Sequence, residues 1–175
     1  MATDLQLSPE RPTYSCVILA FTPAATPTDI FTIGGNANNV VRVSRIRISG
    51  ISTAASEQDV QLIKRTSADS GVTTSSITPC QHDSADPAAQ AVPLKHTANP
   101  VGLGAGQPLR AAKLALPAAG GVGTDITWEF PAGRNGREVF LRGAAESLAI
   151  NLNGGTLAAG TAFDIEVEWT ETSEP

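Results

Sequence analysis

Residues 147–170 read S-L-A-I-N-L-N-G-G-T-L-A-A-G-T-A-F-D-I-E-V-E-W-T. In the second half of this stretch every other side chain is large and apolar: Phe163, Ile165, Val167 and Trp169. Between them stand Asp164, Glu166, Glu168 and Thr170, all polar. Successive side chains of a pleated strand point to opposite faces, so a strand with one dry and one wet face separates the two sets in this way. Leu148, Ile150 and Leu152 alternate with Ala149, Asn151 and Asn153 in the same manner. Residues 154–161, rich in Gly and Ala, connect the two runs. The pattern predicts an all-β chain.

The same alternation recurs upstream. Residues 40–51 (V-V-R-V-S-R-I-R-I-S-G-I) form the longest strand candidate, but its apolar phase changes from Val41 and Val43 to Ile46 and Ile48. A period-two element changes phase by inserting a residue, which predicts a β-bulge near Ser44 and Arg45. A strand buried on opposite faces at its two ends would carry the same pattern. This stretch holds Arg42, Arg45 and Arg47 and no acid, whereas beyond Arg142 the chain has Glu146, Asp164, Glu166, Glu168, Glu171 and Glu174 and no Lys or Arg. Neighbouring basic and acidic strands would fit this asymmetry, since opposite charges help fix pairing. Two independently solvated faces would fit it as well.

Further strand candidates are residues 14–21, a dense apolar run read as a buried strand, and residues 29–33, 59–65, 91–96, 109–116, 124–130 and 137–142. Gly, Pro and Asn clusters at 22–28, 34–39, 117–123 and 131–136 mark turns between them. No window repeats apolar residues at helical spacing behind a cap. Residues 66–91, rich in Ser, Thr, Asp, Ala and Pro, read as a long loop of the kind that is functional or mobile. From Val40 onward about eight candidates remain, the strand number of a jelly roll, with extra strands before them. The expected architecture is an antiparallel β-sandwich of jelly-roll type, with residues 1–13 as an N-terminal arm and 14–175 as a single domain. Consecutive late strands then lie in opposite sheets, and the last strand lies beside the 40–51 strand.

Chemistry is sparse. Cys80, His82, Asp83 and Asp86 fall in C-Q-H-D-S-A-D, but a closed metal site needs tighter paired spacing and a second ligand cluster, so a solvated loop is expected. G-L-G-A-G at 102–106 lacks the Lys-Ser/Thr and the following helix of a phosphate loop. Asp164, Glu166 and Glu168 share one strand face and read as solvated or sheet-pairing carboxylates, since glycoside hydrolysis needs two carboxyls across a cleft. Trp128 and Trp169 are in phase with apolar faces and read as core, and R-N-G-R at 134–137 is a turn with two exposed bases. No G-x-S-x-G elbow is present. No catalytic, cofactor-binding or metal residue is assigned, and a non-enzymatic protein is expected. A net charge of −5 argues against nucleic acid or an anionic membrane as partner, and no apolar run approaches the roughly 20 residues of a spanning helix. The opening M-A-T-D-L-Q-L-S-P-E-R-P lacks a basic-then-apolar export pattern, so the two cysteines, Cys16 and Cys80, are expected as free thiols in a reducing compartment.

From residue 133 to residue 171 the run G-R-N-G-R-E-V-F-L-R-G-A-A-E-S-L-A-I-N-L, a Gly-rich turn and a last strand ending E-W-T-E resemble the C-terminal end of jelly-roll structural proteins of tailed bacteriophages. G-N-A-N-N-V-V-R-V-S-R-I-R-I-S-G at 35–50 resembles the start of the jelly roll in that group. The resemblance implies a capsid decoration (cement) protein, made in the host cytoplasm, that sits as a homotrimer on the outer capsid surface and binds the major capsid protein. The alternative is a tail-associated or receptor-binding jelly roll recognising a host surface glycan, which predicts exposed aromatics in a groove. A small sandwich hydrolase or metal-dependent barrel would instead cluster His and carboxylates inside the barrel.

Overall fold

The computed structural model describes residues 11–131 and 137–173. These form twelve strands and no helix: β1 (Thr13–Phe21), β2 (Asp29–Gly34), β3 (Asn39–Ile51), β4 (Ser56–Arg65), β5 (Thr74–Ser76), β6 (Cys80–Gln81), β7 (Pro93–His96), β8 (Gly106–Leu116), β9 (Asp125–Glu129), β10 (Val139–Leu141), β11 (Ser147–Asn151) and β12 (Ala162–Ser173). The first sheet runs β10-β3-β12-β1-β6 with β9 also on β3, and the second runs β5-β7-β2-β11-β4-β8. All strand pairs are antiparallel. The chain is therefore the antiparallel β-sandwich that the alternation predicts.

Five of the pairs nest: β1 with β12, β2 with β11, β3 with both β9 and β10, and β4 with β8. This is the order in which one folded antiparallel ribbon makes two sheets. It begins at β1, not at Val40 as the strand count suggested, and the additional strands β5, β6 and β7 lie between β4 and β8. The last two strands fall in opposite sheets, and β12 lies beside β3 along its whole length.

The phase change in β3 is a bulge. Arg45 pairs with Glu168 and Val43 with Trp169, which leaves Ser44 as the inserted residue. Val41 and Val43 before it and Ile46 and Ile48 after it are all fully buried, so the extra residue keeps both halves of the strand facing the core. The opposite flank of β3 breaks at the same point, with β10 along its first half, β9 along its second, and the Phe130 N–H donating to the Ser44 carbonyl at 2.7 Å.

The core is one cluster in which Leu148, Ile150 and Leu152 of the second sheet and Phe163, Ile165, Val167 and Trp169 of the first are buried. Trp169 stacks on Tyr14 at 5.9 Å between centroids, and the Tyr14 hydroxyl donates to the Pro87 carbonyl at 2.7 Å. The run 14–21 is not buried throughout, as its density suggested. Tyr14, Cys16 and Ile18 point inward, while Val17 and Leu19 are 53% and 73% exposed, because none of the described residues forms a layer over that face of the first sheet.

The region 66–91 is not a plain loop either. β5 and β7 lie on the far flank of the second sheet from β4 and β8, so the connections 66–73 and 97–105 cross it. They cross together as a strap, with Thr66 N–H donating to Ala105 O at 2.7 Å, Ser70 N–H to Gly102 O at 2.9 Å and Thr97 N–H to Thr73 O at 2.9 Å. Gly104 permits the approach, since a Cβ there would stand 2.0 Å from the Ser67 carbonyl oxygen. On the face of β11 away from the core, Ala149 and Asn151 are buried. Of the expected arm, residues 1–10 lie outside the described residues. Arg11 pairs with Glu138 at 3.3 Å and Thr13 already belongs to β1.

Candidate functional site

The outer face of the first sheet, uncovered among the described residues, combines exposed apolar side chains, charge and a strained backbone. In β1, Ile18 pairs with Ile165 and Phe21 with Phe163, so Leu19 and Ala20 together stand opposite Asp164. Ala20 adopts φ 50°, a left-handed conformation that costs a residue with a Cβ roughly 1–2 kcal/mol. The Asp164 carboxylate holds it there by accepting the Ala20 N–H at 2.7 Å. This bulge leaves Leu19 standing out of the sheet near Val17, and Ile51, half exposed, lines a shallow cleft of about 300 Å³ together with Ala20, Arg47, Ser49 and Asp164. Leu19, Val17 and Glu166 line a smaller hollow of about 160 Å³ beside it.

Around this patch the basic and acidic strands meet. Arg45 pairs with Glu166 and, at 3.6 Å, with Glu168, both on the neighbouring β12. Such half-exposed cross-strand pairs contribute about 0.2–1 kcal/mol each, enough to favour register but little more. Arg47 pairs with Asp125 of β9 at 3.2 Å, and the Thr127 hydroxyl together with Arg47 holds the Asp125 carboxyl below its ordinary range. The three carboxylates singled out on β12 thus divide: Glu166 and Glu168 bind Arg45, and Asp164 fixes the bulge.

The other sequence candidates are scattered. Cys80 lies in β6 against β1, the His82 N–H donates to Thr13 O, and the Asp83 carboxylate accepts the Ala85 N–H at 2.8 Å, all of them exposed. Among the described residues no group of three or more His, Cys, Asp or Glu converges as metal ligands would. G-L-G-A-G is strap backbone: Gly104 donates to Asp69 and accepts from Arg65. Trp169 is fully buried and its indole N–H donates to Glu171 at 3.0 Å, while Trp128 packs half-buried against the core. Residues 134–136 lie outside the described residues, and Arg137 is exposed. Both cysteines are free thiols, Cys16 buried, with burial pushing it up to about 12, and Cys80 exposed.

Two buried charged groups were missed because ionisable side chains in a sequence read as exposed. Glu171 is 3% exposed and accepts four donors: the N–H groups of Gln90 and Ala91, the Trp169 indole and the Asn39 amide. The other is a cluster beneath the strap. There Asp29 takes Arg65 Nε at 2.6 Å and Nη2 at 2.7 Å, and Asp69 lies 3.4 Å from Arg65 Nε. The only sequence signal was the position of Asp29 and Arg65 at strand ends.

No protein-family model matches the chain, and no curated protein or solved structure matches it.

Proposed function

We propose that the protein is a non-enzymatic virion structural protein, a capsid decoration protein that binds the outer surface of a phage shell as a homotrimer and stabilises it. The observation that carries this reading is the exposed Val17, Leu19 and Ile51 patch on the outer face of the first sheet. Exposed apolar side chains grouped within a polar rim mark a contact site. A strained bulge that re-aims one of them is a local cost that function explains and packing does not. The likeness of residues 133–171 to phage jelly-roll proteins supplies the class of partner, the major capsid protein. The patch is small, so one copy would adhere weakly. Three copies on one rigid trimer make the second and third contacts intramolecular, which raises avidity without new contacts. Light scattering on the purified chain tests the first half of the reading: it predicts a mass three times the 18.0 kDa chain, and a monomer would count against it. Co-sedimentation with empty shells tests the second half, with retention expected for the wild type and lost in Leu19→Asp.

A further inference from the structure

The cluster that pins the strap carries more negative than positive groups. Asp29 on β2 is fully buried and accepts two N–H groups of Arg65 from β4 and the amide of Asn151 from β11 at 2.5 Å. Asp69 of the strap, its side chain 4% exposed, shares that guanidinium; its Oδ1 accepts the Gly104 N–H at 2.7 Å. Its Oδ2 is buried and meets no donor. The third Arg65 nitrogen is occupied by the Gly104 carbonyl at 2.5 Å. The remaining titratable neighbour is His96 of β7, whose Nε2 bonds the Thr32 hydroxyl at 3.0 Å and whose Nδ1 is buried without a partner. Two carboxylates share one guanidinium at a largely buried site, where like charges held close together oppose each other's ionisation. Asp29 Oδ2 receives only Arg65 Nε, which leaves it one lone pair.

We propose that Asp29 and Asp69 share one proton, with the Asp69 Oδ2–H donating to the Asp29 carboxylate, so that a carboxyl–carboxylate hydrogen bond latches the strap to the second sheet. The direction of titration agrees. Burial pushes the Asp69 carboxyl up, and the charge and hydrogen bond of Asp29 add to this, against the pull of the Gly104 N–H and Arg65. A carboxyl whose folded value is raised stabilises the fold while protonated, and that contribution is lost as pH rises from about 3.8 through the raised value. The strap is therefore tightest in acid and loosens toward alkaline pH.

The substitution Asp69→Asn decides between a shared proton and a second ion pair. Its amide keeps an oxygen for the Gly104 N–H and offers an N–H to Asp29 in place of the O–H. The latch predicts a Tm close to wild type near pH 4 and a few degrees above it at pH 7–8. Hydrogen exchange at Ser70 and Gly102, corrected for intrinsic rates, should accelerate with pH in the wild type and not in the variant. A Tm below wild type at pH 7 would show that an ion pair had been removed, and would overturn the proposal. Carbon-13 titration of the wild-type aspartate carboxyls tests it without mutation: one buried carboxyl titrating above the ordinary range supports it, and all titrating at or below that range refutes it.

Discussion

Glu171 joins three parts of the molecule with one carboxylate. It holds the backbone at Gln90 and Ala91, the indole of Trp169 and the amide of Asn39, while itself almost wholly buried. Removing it orphans several buried donors at about 1–3 kcal/mol each. Glu171→Ala should therefore lower Tm by at least about 6 °C and weaken the near-UV signal of Trp169, both read in one thermal scan by circular dichroism. His96 sets a pH limit of the opposite sense to Asp69. Burial pushes its pKa down, with Arg65 adding to this and Asp29 opposing, so the stability it contributes is present above about 6.5 and is lost as pH falls through the lowered value. In the Asp69→Asn background this acid limb stands alone. Tm there should be flat above about pH 6.5 and fall below it, and His96→Gln should flatten the fall.

At the scale of the element, two bulges do different work. The one at Ser44 preserves the core, and deleting Ser44 would turn either Val41 and Val43 or Ile46 and Ile48 outward. The deletion variant should fail to fold, seen as loss of the cooperative urea transition. The bulge at Leu19 and Ala20 serves the surface. Ala20→Gly removes the left-handed penalty and should raise stability by about 0.5–1 kcal/mol in a urea titration, net of the extra entropy of glycine. The first bulge was legible in the sequence because the apolar phase shifts on both sides of it. The second was not, because Val17, Leu19 and Phe21 keep an apolar run whichever way they point. Strands with one wet face could be read at β3 and β12 but not at β1, whose dense apolar run read as buried, and the opposite charges of β3 and β12 were compatible with their pairing without requiring it. The strap could not, since its contacts are backbone hydrogen bonds and one buried ionic cluster, neither of which leaves a periodic trace.

For the molecule as a whole, nesting β1 with β12 and β2 with β11 ties both ends of the described chain into one core. The sandwich then has two unlike outer faces, one crossed by the pinned strap and one presenting the Val17 and Leu19 patch. On the proposed function, a body that presents one apolar patch suits repeated attachment to a lattice of identical sites. Leu19→Asp should leave Tm within about 2 °C of wild type, because that side chain is 73% exposed, yet abolish retention on shells. The most direct measurement is a cryo-EM map of particles that carry this chain. The account predicts trimeric density on the outer shell with the β1, β3 and β12 face turned toward the capsid protein. Density confined to the tail, or a shell surface contacted through the strap face, would contradict it.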